Sequence, residues 1–307
     1  MLKQSVPLYF QQLHIDVVRN ATDDYNLFHD ATKWQRIKDN PFKGPIALGF
    51  QLESFIEHSV RQYRKSTDDD FLIEKYQLNF SNYQFTFANA VRPEQEIDID
   101  IKKTQFKTTP EPILSHRICV KSNANLALMG FKKESQTPLF LAESDFSQLG
   151  DLMGCPDRQF LEALPDFFMK RKFLNISNAK NFLCGSLANQ NDYFDELSNT
   201  IYFPEIFPCS LISSALLEKA VLDKHDFEQN PMVYTSHQIS LDKTVLHEIH
   251  SNTALHILLK KVIPDNSLGV PEDEQLVDYH CYGLVEGNTI LFRAIIGLSP
   301  LAAILKR

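Results

Sequence analysis

The sequence predicts an α+β fold in which one pattern, helices followed by antiparallel strands, is written twice. Three observations lead there. Apolar residues recur at helical spacing from Gly49 to Arg64, apolar and polar residues alternate at Ser81–Phe87 and Ile97–Ile101, and the same order returns after a polar stretch around Ser147–Pro156.

Taken along the chain, Ile15–Thr22 reads as a short helix that stops before Asp23-Asp24-Tyr25-Asn26, residues that favour turns. In the Gly49–Arg64 helix, Leu52, Phe55, Ile56, Val60 and Tyr63 form the apolar stripe. Glu53, Glu57, Arg61 and Arg64 decorate the other side. Tyr83, Phe85 and Phe87 alternate with Asn82, Gln84 and Thr86, and Ile97, Ile99 and Ile101 with Asp98 and Asp100, so each run predicts a strand with one wet face. Pro93 marks the turn between them, and further strands are expected at Ile113–Lys121 and Asn125–Lys132.

In the second half, Asn178–Ala188 predicts a short helix and Ser210–Leu222 a long one. Strands follow at Met232–Ser240, Ala254–Val262, Val277–Val285 and Thr289–Leu298. A constant offset sets Asp24 and Tyr25 against Asp192 and Tyr193, and Leu197 where His29 stands, so the second copy keeps the order of elements and lacks the imidazole. The expected division is residues 1–145 and 156–307.

Composition narrows the function classes. A formal charge of −8 and a pI near 5.7 argue against a nucleic-acid surface. No apolar run is long enough to span a bilayer, and the first residues lack the basic-then-apolar order of a secretory signal, so a soluble cytoplasmic protein is expected. The five cysteines are scattered singly, which predicts reduced thiols and neither a disulfide framework nor a cysteine zinc site. Twenty-three Phe against one Trp point to aromatic packing or to an apolar tunnel, with Phe80, Phe85 and Phe87 read as core first and as tunnel lining second.

The chemistry-bearing residues gather in ATDDYNLFHD (residues 21–30) and NPFKGPIALGF (residues 40–50). Asp24 and His29, five residues apart across a turn, can converge on one point, whereas along a straight strand their side chains would alternate faces. Asn26 would either orient the pair or tie down the turn. Standing alone, the D-x-N-x-x-H pattern also fits an Asx turn with an exposed histidine. Gly49 at the start of a helix admits two readings: close packing of helix on strand, or room for a ligand oxygen to approach an unpaired backbone N–H. His247-Glu248-Ile249-His250 has neither the spacing of a helical zinc motif nor a nearby Cys, and no metal is expected. His58 is read as a surface or interface residue, and Asp192 as a relic, a cap or a partner in a polar network.

These two segments resemble the signature of the MaoC-like, R-specific enoyl-CoA hydratases, S/T-G-D-x-N-P-x-H followed by a phenylalanine and an R-P-I-x-H-G stretch opening a helix. Thr22, Asp24, Asn26 and His29 fall on the first part, and Phe42, Pro45, Ile46 and Gly49 on the second; Ala90–Ile97 is similar to the family's P-V-x-P-G-D-x-L strand. Asp23 stands in place of a glycine, Leu27 of a proline and Leu48 of a histidine. The resemblance implies a double hot-dog fold, two antiparallel sheets each wrapping a central helix; the catalytic-type motif lies in the first copy here, whereas two-copy hydratases of the family carry it in the second. It implies a lyase that hydrates 2-enoyl thioesters or dehydrates (R)-3-hydroxyacyl thioesters, with Asp24 and His29 as the catalytic pair, Gly49 and Asn26 as oxyanion or orienting residues, and no cofactor. The expected partner is an acyl thioester of CoA or acyl carrier protein, and the expected state a monomer or homodimer. A degenerate acyl-thioester-binding protein and a thioesterase remain as alternatives, because one scaffold hosts several reactions.

Overall fold

The computed structural model describes residues 7–142, 144–198, 200–265, 269–271 and 274–306. The first half runs β1 (Leu8–Tyr9), α1 (Gln12–Thr22), α2 (Gly49–Arg64), α3 (Asp69–Lys75), β2 (Phe80–Phe87), β3 (Glu96–Ile101), β4 (Gln105–Lys107), β5 (Ile113–Ser122) and β6 (Asn125–Ser135). Next come β7 (Gln159–Phe160), β8 (Phe168–Leu174), α4 (Ile176–Gly185), β9 (Phe194–Asp195), β10 (Thr200–Ile201), α5 (Ile206–Ser210) and α6 (Ile212–Leu222). The chain closes with β11 (Met232–Asp242), α7 (Lys243–His247), β12 (Thr253–Val262), β13 (Val277–Val285), β14 (Thr289–Pro300) and α8 (Leu301–Leu305).

Among the described residues the two expected sheets are one antiparallel sheet of twelve strands. Outward from the central β2–β11 pair the order is β2-β6-β5-β3-β1 on one side and β11-β14-β13-β12-β8 on the other, so corresponding strands of each half take mirrored places. The junction is antiparallel, with Gln84 opposite Gln238 and Tyr83 opposite Ile239. Each half of the sheet wraps its own long helix, which is the double hot-dog arrangement.

Most of the polar side of α2 is buried: Glu53 and Glu57 meet the second half of the molecule and Arg64 meets β6 of its own half, while Arg61 is exposed. Glu57 accepts the backbone N–H groups of Glu205 and Ile206 at 2.9 and 3.0 Å, occupying the start of α5. Arg64 donates to Glu134 at 2.6 Å, and Glu53 pairs with His237 at 3.0 Å. α1 and α4 also join the halves: a Cβ at Gly185 would sit 2.5 Å from Val18 Cγ2 and 2.6 Å from the His14 carbonyl, so only glycine allows that approach.

The outer face of the seam is covered as well. Ser240 Oγ accepts the N–H groups of Leu139 and Phe140 at 3.1 and 3.0 Å and donates to Asn82 at 2.7 Å, so Ser240 is buried, as is Asn82 on the face of β2 that was expected to be wet. Farther along, Phe146, Leu152 and Leu161 pack on Met169, Leu258, Tyr282 and Leu284. The helix expected over Ser210–Leu222 is α6, Ile212–Leu222, with the short α5 directly ahead of it, and the one expected over Asn178–Ala188 is shifted to Ile176–Gly185. The His247–His250 segment ends the short helix α7 and continues into a turn.

Candidate active site

The site is built from the end of α1. Asp23 caps that helix in the left-handed conformation at φ 54° and ψ 38°, its N–H donating to the Arg19 carbonyl. Left-handed backbone suits glycine and is tolerated by Asp, which accounts for Asp23 at the signature's glycine position. The next residue, Asp24, is buried, and its Oδ1 accepts the N–H of Asn26 at 2.9 Å. Asn26 Oδ1 in turn accepts the N–H of Phe28 at 3.2 Å, opening the 3-10 turn Leu27–His29. Two side-chain-to-backbone turns in succession thus fix the loop. Of the two roles open to Asn26, its side chain performs the tying down of the turn.

His29 is carried inward rather than exposed. Its Nδ1 lies 2.8 Å from the carbonyl oxygen of Ile46, while the Ile46 N–H donates to the Phe28 carbonyl at 2.9 Å and the Ala47 N–H to the Val91 carbonyl at 2.8 Å. Those contacts hold the P-I-A-L-G segment against the histidine loop and set the direction in which α2 begins. A carbonyl only accepts, so Nδ1 carries the proton and the neutral ring presents the Nε2 lone pair. Burial lowers the His29 pKa from its usual 6.5; the charge of Asp24 and the Ile46 carbonyl oppose that shift, and Arg19 adds to it. Asp24 and His29 are therefore within electrostatic reach of one another. Among the described residues neither Asp24 Oδ2 nor His29 Nε2 has a hydrogen-bond partner.

Asp30 anchors the following loop. Its carboxylate accepts the N–H groups of Thr32 and Lys33 at 3.0 and 2.9 Å and pairs with Arg19 at 3.2 Å, which holds its pKa far below the ordinary range. The loop thereby stays folded over Phe28 and Ile37, which pack with Leu301.

The far wall belongs to the second half. At Gly49, the first residue of α2, a Cβ would stand 3.0 Å from Phe87 Cζ and 3.3 Å from Tyr234 Cδ2, so the glycine does serve close packing of helix on strands. The first-turn N–H groups of α2 point the other way along the helix axis, and the N–H of Gly49 has no partner among the described residues. The Tyr234 hydroxyl meets Ser213 Oγ at 2.8 Å, and its pKa is raised by burial first and then by the charge of Asp24. Sequence reasoning missed Tyr234 and Ser213. A register irregularity between Tyr234 and Ser236 aims the tyrosine inward, and no residue pattern announced it.

Tyr25 and Leu27, which alternate with Asp24 and Asn26, line a cleft of about 440 Å³ whose other wall carries charges of both signs, Arg36 and Lys224 beside Asp226 and Glu228, with Arg36 paired to Glu228. The counterpart residues in the second half make no such site. Asp192 accepts from Lys65 and Gln62, both at 2.7 Å, and so is a partner in a polar network; Leu197 is fully exposed. His58 is an interface residue whose Nε2 receives the Asn189 N–H at 3.4 Å. Among the described residues no group of three or more His, Cys, Asp or Glu is placed to hold a metal ion, and no helix is long and apolar enough to cross a membrane.

No family profile matches the chain, and no curated protein matches it in sequence. Solved structures do match in shape. RV0216 of Mycobacterium tuberculosis, a conserved protein described as having a double hotdog fold, superimposes with a TM-score of 0.59 at 10% identity, covering 96% of this chain and 94% of that one. A MaoC domain protein dehydratase of Chloroflexus aurantiacus gives 0.57 at 6% identity over 96% and 93%. The peroxisomal multifunctional enzyme type 2 of Drosophila melanogaster gives 0.52 at 10%, this chain spanning 48% of that longer protein. At such identities the likeness establishes the double hot-dog fold and leaves the chemistry to the side chains.

Proposed function

We propose that the protein is a hydro-lyase that adds water to 2-enoyl thioesters, or removes it from (R)-3-hydroxyacyl thioesters, at a single site. On this reading the half comprising residues 1–145 carries the reacting groups, and the half comprising residues 156–307 supplies the wall through Tyr234. The observation that carries the proposal is the His29–Ile46 contact, which leaves an unprotonated Nε2 in a buried position beside Asp24.

In the hydration direction, His29 Nε2 takes a proton from water as the water oxygen bonds to the β-carbon of the enoyl group. The π electrons move to the thioester oxygen, and the N–H at Gly49 stabilises the charge gathered there; one such donor is worth about 3 kcal/mol in a transition state. The resulting imidazolium, steadied by the Asp24 carboxylate, returns its proton to the α-carbon, so the group that began as base ends as acid. Dehydration is the reverse. The carrier is an acyl-CoA or acyl carrier protein thioester.

The test follows crotonyl-CoA and longer enoyl thioesters by loss of enoyl absorbance, with free thiol measured in parallel. Loss of absorbance without thiol release supports hydration. Thiol release would make the protein a thioesterase, and binding with neither change would make it a binding module.

A further inference from the structure

The wall of the candidate site holds a polar group that the proposed reaction does not use. Tyr234 of β11 and Ser213 of α6 meet hydroxyl to hydroxyl at 2.8 Å, and among the described residues neither side chain makes another hydrogen bond. Two hydroxyls carry two hydrogens and the bond between them spends one, so one O–H is left to donate. Ser213 is buried and Tyr234 only partly so, and a spare hydrogen costs less where solvent reaches it. Ser213 therefore donates to the phenol oxygen, and Tyr234 keeps the spare hydrogen. Packing does not require the pair: Ala and Phe in the same places would fill nearly the same space with no hydroxyl to satisfy.

Position supplies a reason for it. The Tyr234 ring lies against the start of α2, its Cδ2 3.3 Å from the place a Gly49 Cβ would occupy, and the register irregularity between Tyr234 and Ser236 is what turns it there. The first half brings two unspent acceptors to the same place. Asp24 Oδ2 and His29 Nε2 have no partner among the described residues, and neither belongs to the side-chain atoms sealed from solvent without one. Asp24 ties the three groups together, since its charge reaches both the His29 ring and the Tyr234 hydroxyl. A water molecule offers two hydrogens and two lone pairs. Donating to Asp24 Oδ2 and His29 Nε2 and accepting from the Tyr234 O–H, it keeps one lone pair, and that one meets the β-carbon.

Resting on the enoyl-thioester reading, we propose that the Tyr234 hydroxyl, oriented by Ser213, holds the reacting oxygen: the attacking water in hydration, the 3-hydroxyl in dehydration. The phenol exchanges no proton, and His29 remains the base. The second half of the chain thus contributes a hydrogen-bond donor to the reaction as well as a wall.

The experiment measures kcat and KM on one enoyl-CoA, and Tm, for wild type, Tyr234→Phe, Ser213→Ala and the double variant. Calorimetry adds Kd values for a matched pair of CoA thioethers, alkyl and 3-hydroxyalkyl, which lack the thioester carbonyl and do not react. Tyr234→Phe is expected to lower kcat by about ten- to a hundredfold with KM little changed, because the acyl group still binds while the water is misplaced. Ser213→Ala is expected to lose less. Wild type is expected to bind the 3-hydroxyalkyl thioether about tenfold more tightly than the alkyl one, and Tyr234→Phe to bind the two alike. The double variant is expected to regain the Tm that Tyr234→Phe loses by leaving Ser213 unpaired, while its turnover stays low. Turnover restored along with Tm would make the pair a packing element and overturn the inference, as would a wild type that binds the two thioethers alike. A hydroxyl preference that Tyr234→Phe abolishes, in a protein that hydrates nothing, upholds the inference and removes the reaction; wild-type turnover retained in Tyr234→Phe upholds the reaction and removes the inference.

Discussion

The Nδ1 of His29 lies 2.8 Å from the carbonyl oxygen of Ile46, seventeen residues along the chain. One contact thereby joins the two motif segments and fixes which ring nitrogen carries the proton. It has a consequence in pH. Burial depresses the His29 pKa below 6.5, so the neutral ring that acts as base persists to lower pH than an exposed histidine would. The rate constant kcat/KM is expected to be flat above 6.5 and to fall only below it, with an apparent pKa under that value. A pH–rate profile checks this, and an acid limb centred above 6.5 contradicts it. Stability has the same sign: the unfolded chain binds the proton first, so the contribution of neutral His29 is present above 6.5 and is lost as pH falls through the folded value.

Gly49→Ala places a methyl 3.0 Å from Phe87 and 3.3 Å from Tyr234. The rings must give way, at a cost of about 1–3 kcal/mol as for other overpacked sites. Thermal unfolding is expected to show a lower Tm, and kcat is expected to fall more than KM rises, because the α2 N–H is displaced relative to the thioester oxygen. An Ala variant with unchanged kcat would remove Gly49 from the chemistry and leave only its packing role.

At the other end of α2, Glu57 seals the start of α5, and its pKa is raised to about 7, chiefly by burial and then by Glu205. A carboxyl whose folded pKa exceeds its unfolded one stabilises the fold fully below the unfolded value, 4.5, and loses that contribution as pH rises to about 7. Glu57→Gln is expected to flatten this decline, so that the difference between variant and wild type shifts in the variant's favour from pH 4.5 to 7 in urea unfolding. Parallel stability curves across that range would show that Glu57 titrates normally.

Much of this architecture is legible in the residues, and the exceptions share a cause. The α2 stripe and the alternation in β2, β3, β5 and β6 announce helix and strands because each buries one face against a neighbour close in sequence. Asp24, Asn26 and His29 are legible because a turn imposes local chemistry. The burial of Glu53 and Glu57 is not, since a polar stripe facing a second half of the chain has the same period as one facing water. Tyr234 is hidden for a related reason: a strand irregularity changes which face a side chain takes without changing the residues that write the strand. Asp23 at the signature's glycine position becomes intelligible only with its left-handed backbone in view.

The initial rate of hydration of one enoyl-CoA substrate by wild type, Asp24→Asn, His29→Ala, their double variant and Asp192→Asn tests the single-site account most directly. Loss of either Asp24 or His29 is expected to lower kcat by about 10²–10⁴, and the double variant scarcely further, because two groups acting on one water fail together. Asp192→Asn, whose carboxylate serves Lys65 and Gln62, is expected to retain wild-type turnover. Equal losses at Asp192 and Asp24, or additive losses at Asp24 and His29, would contradict the account.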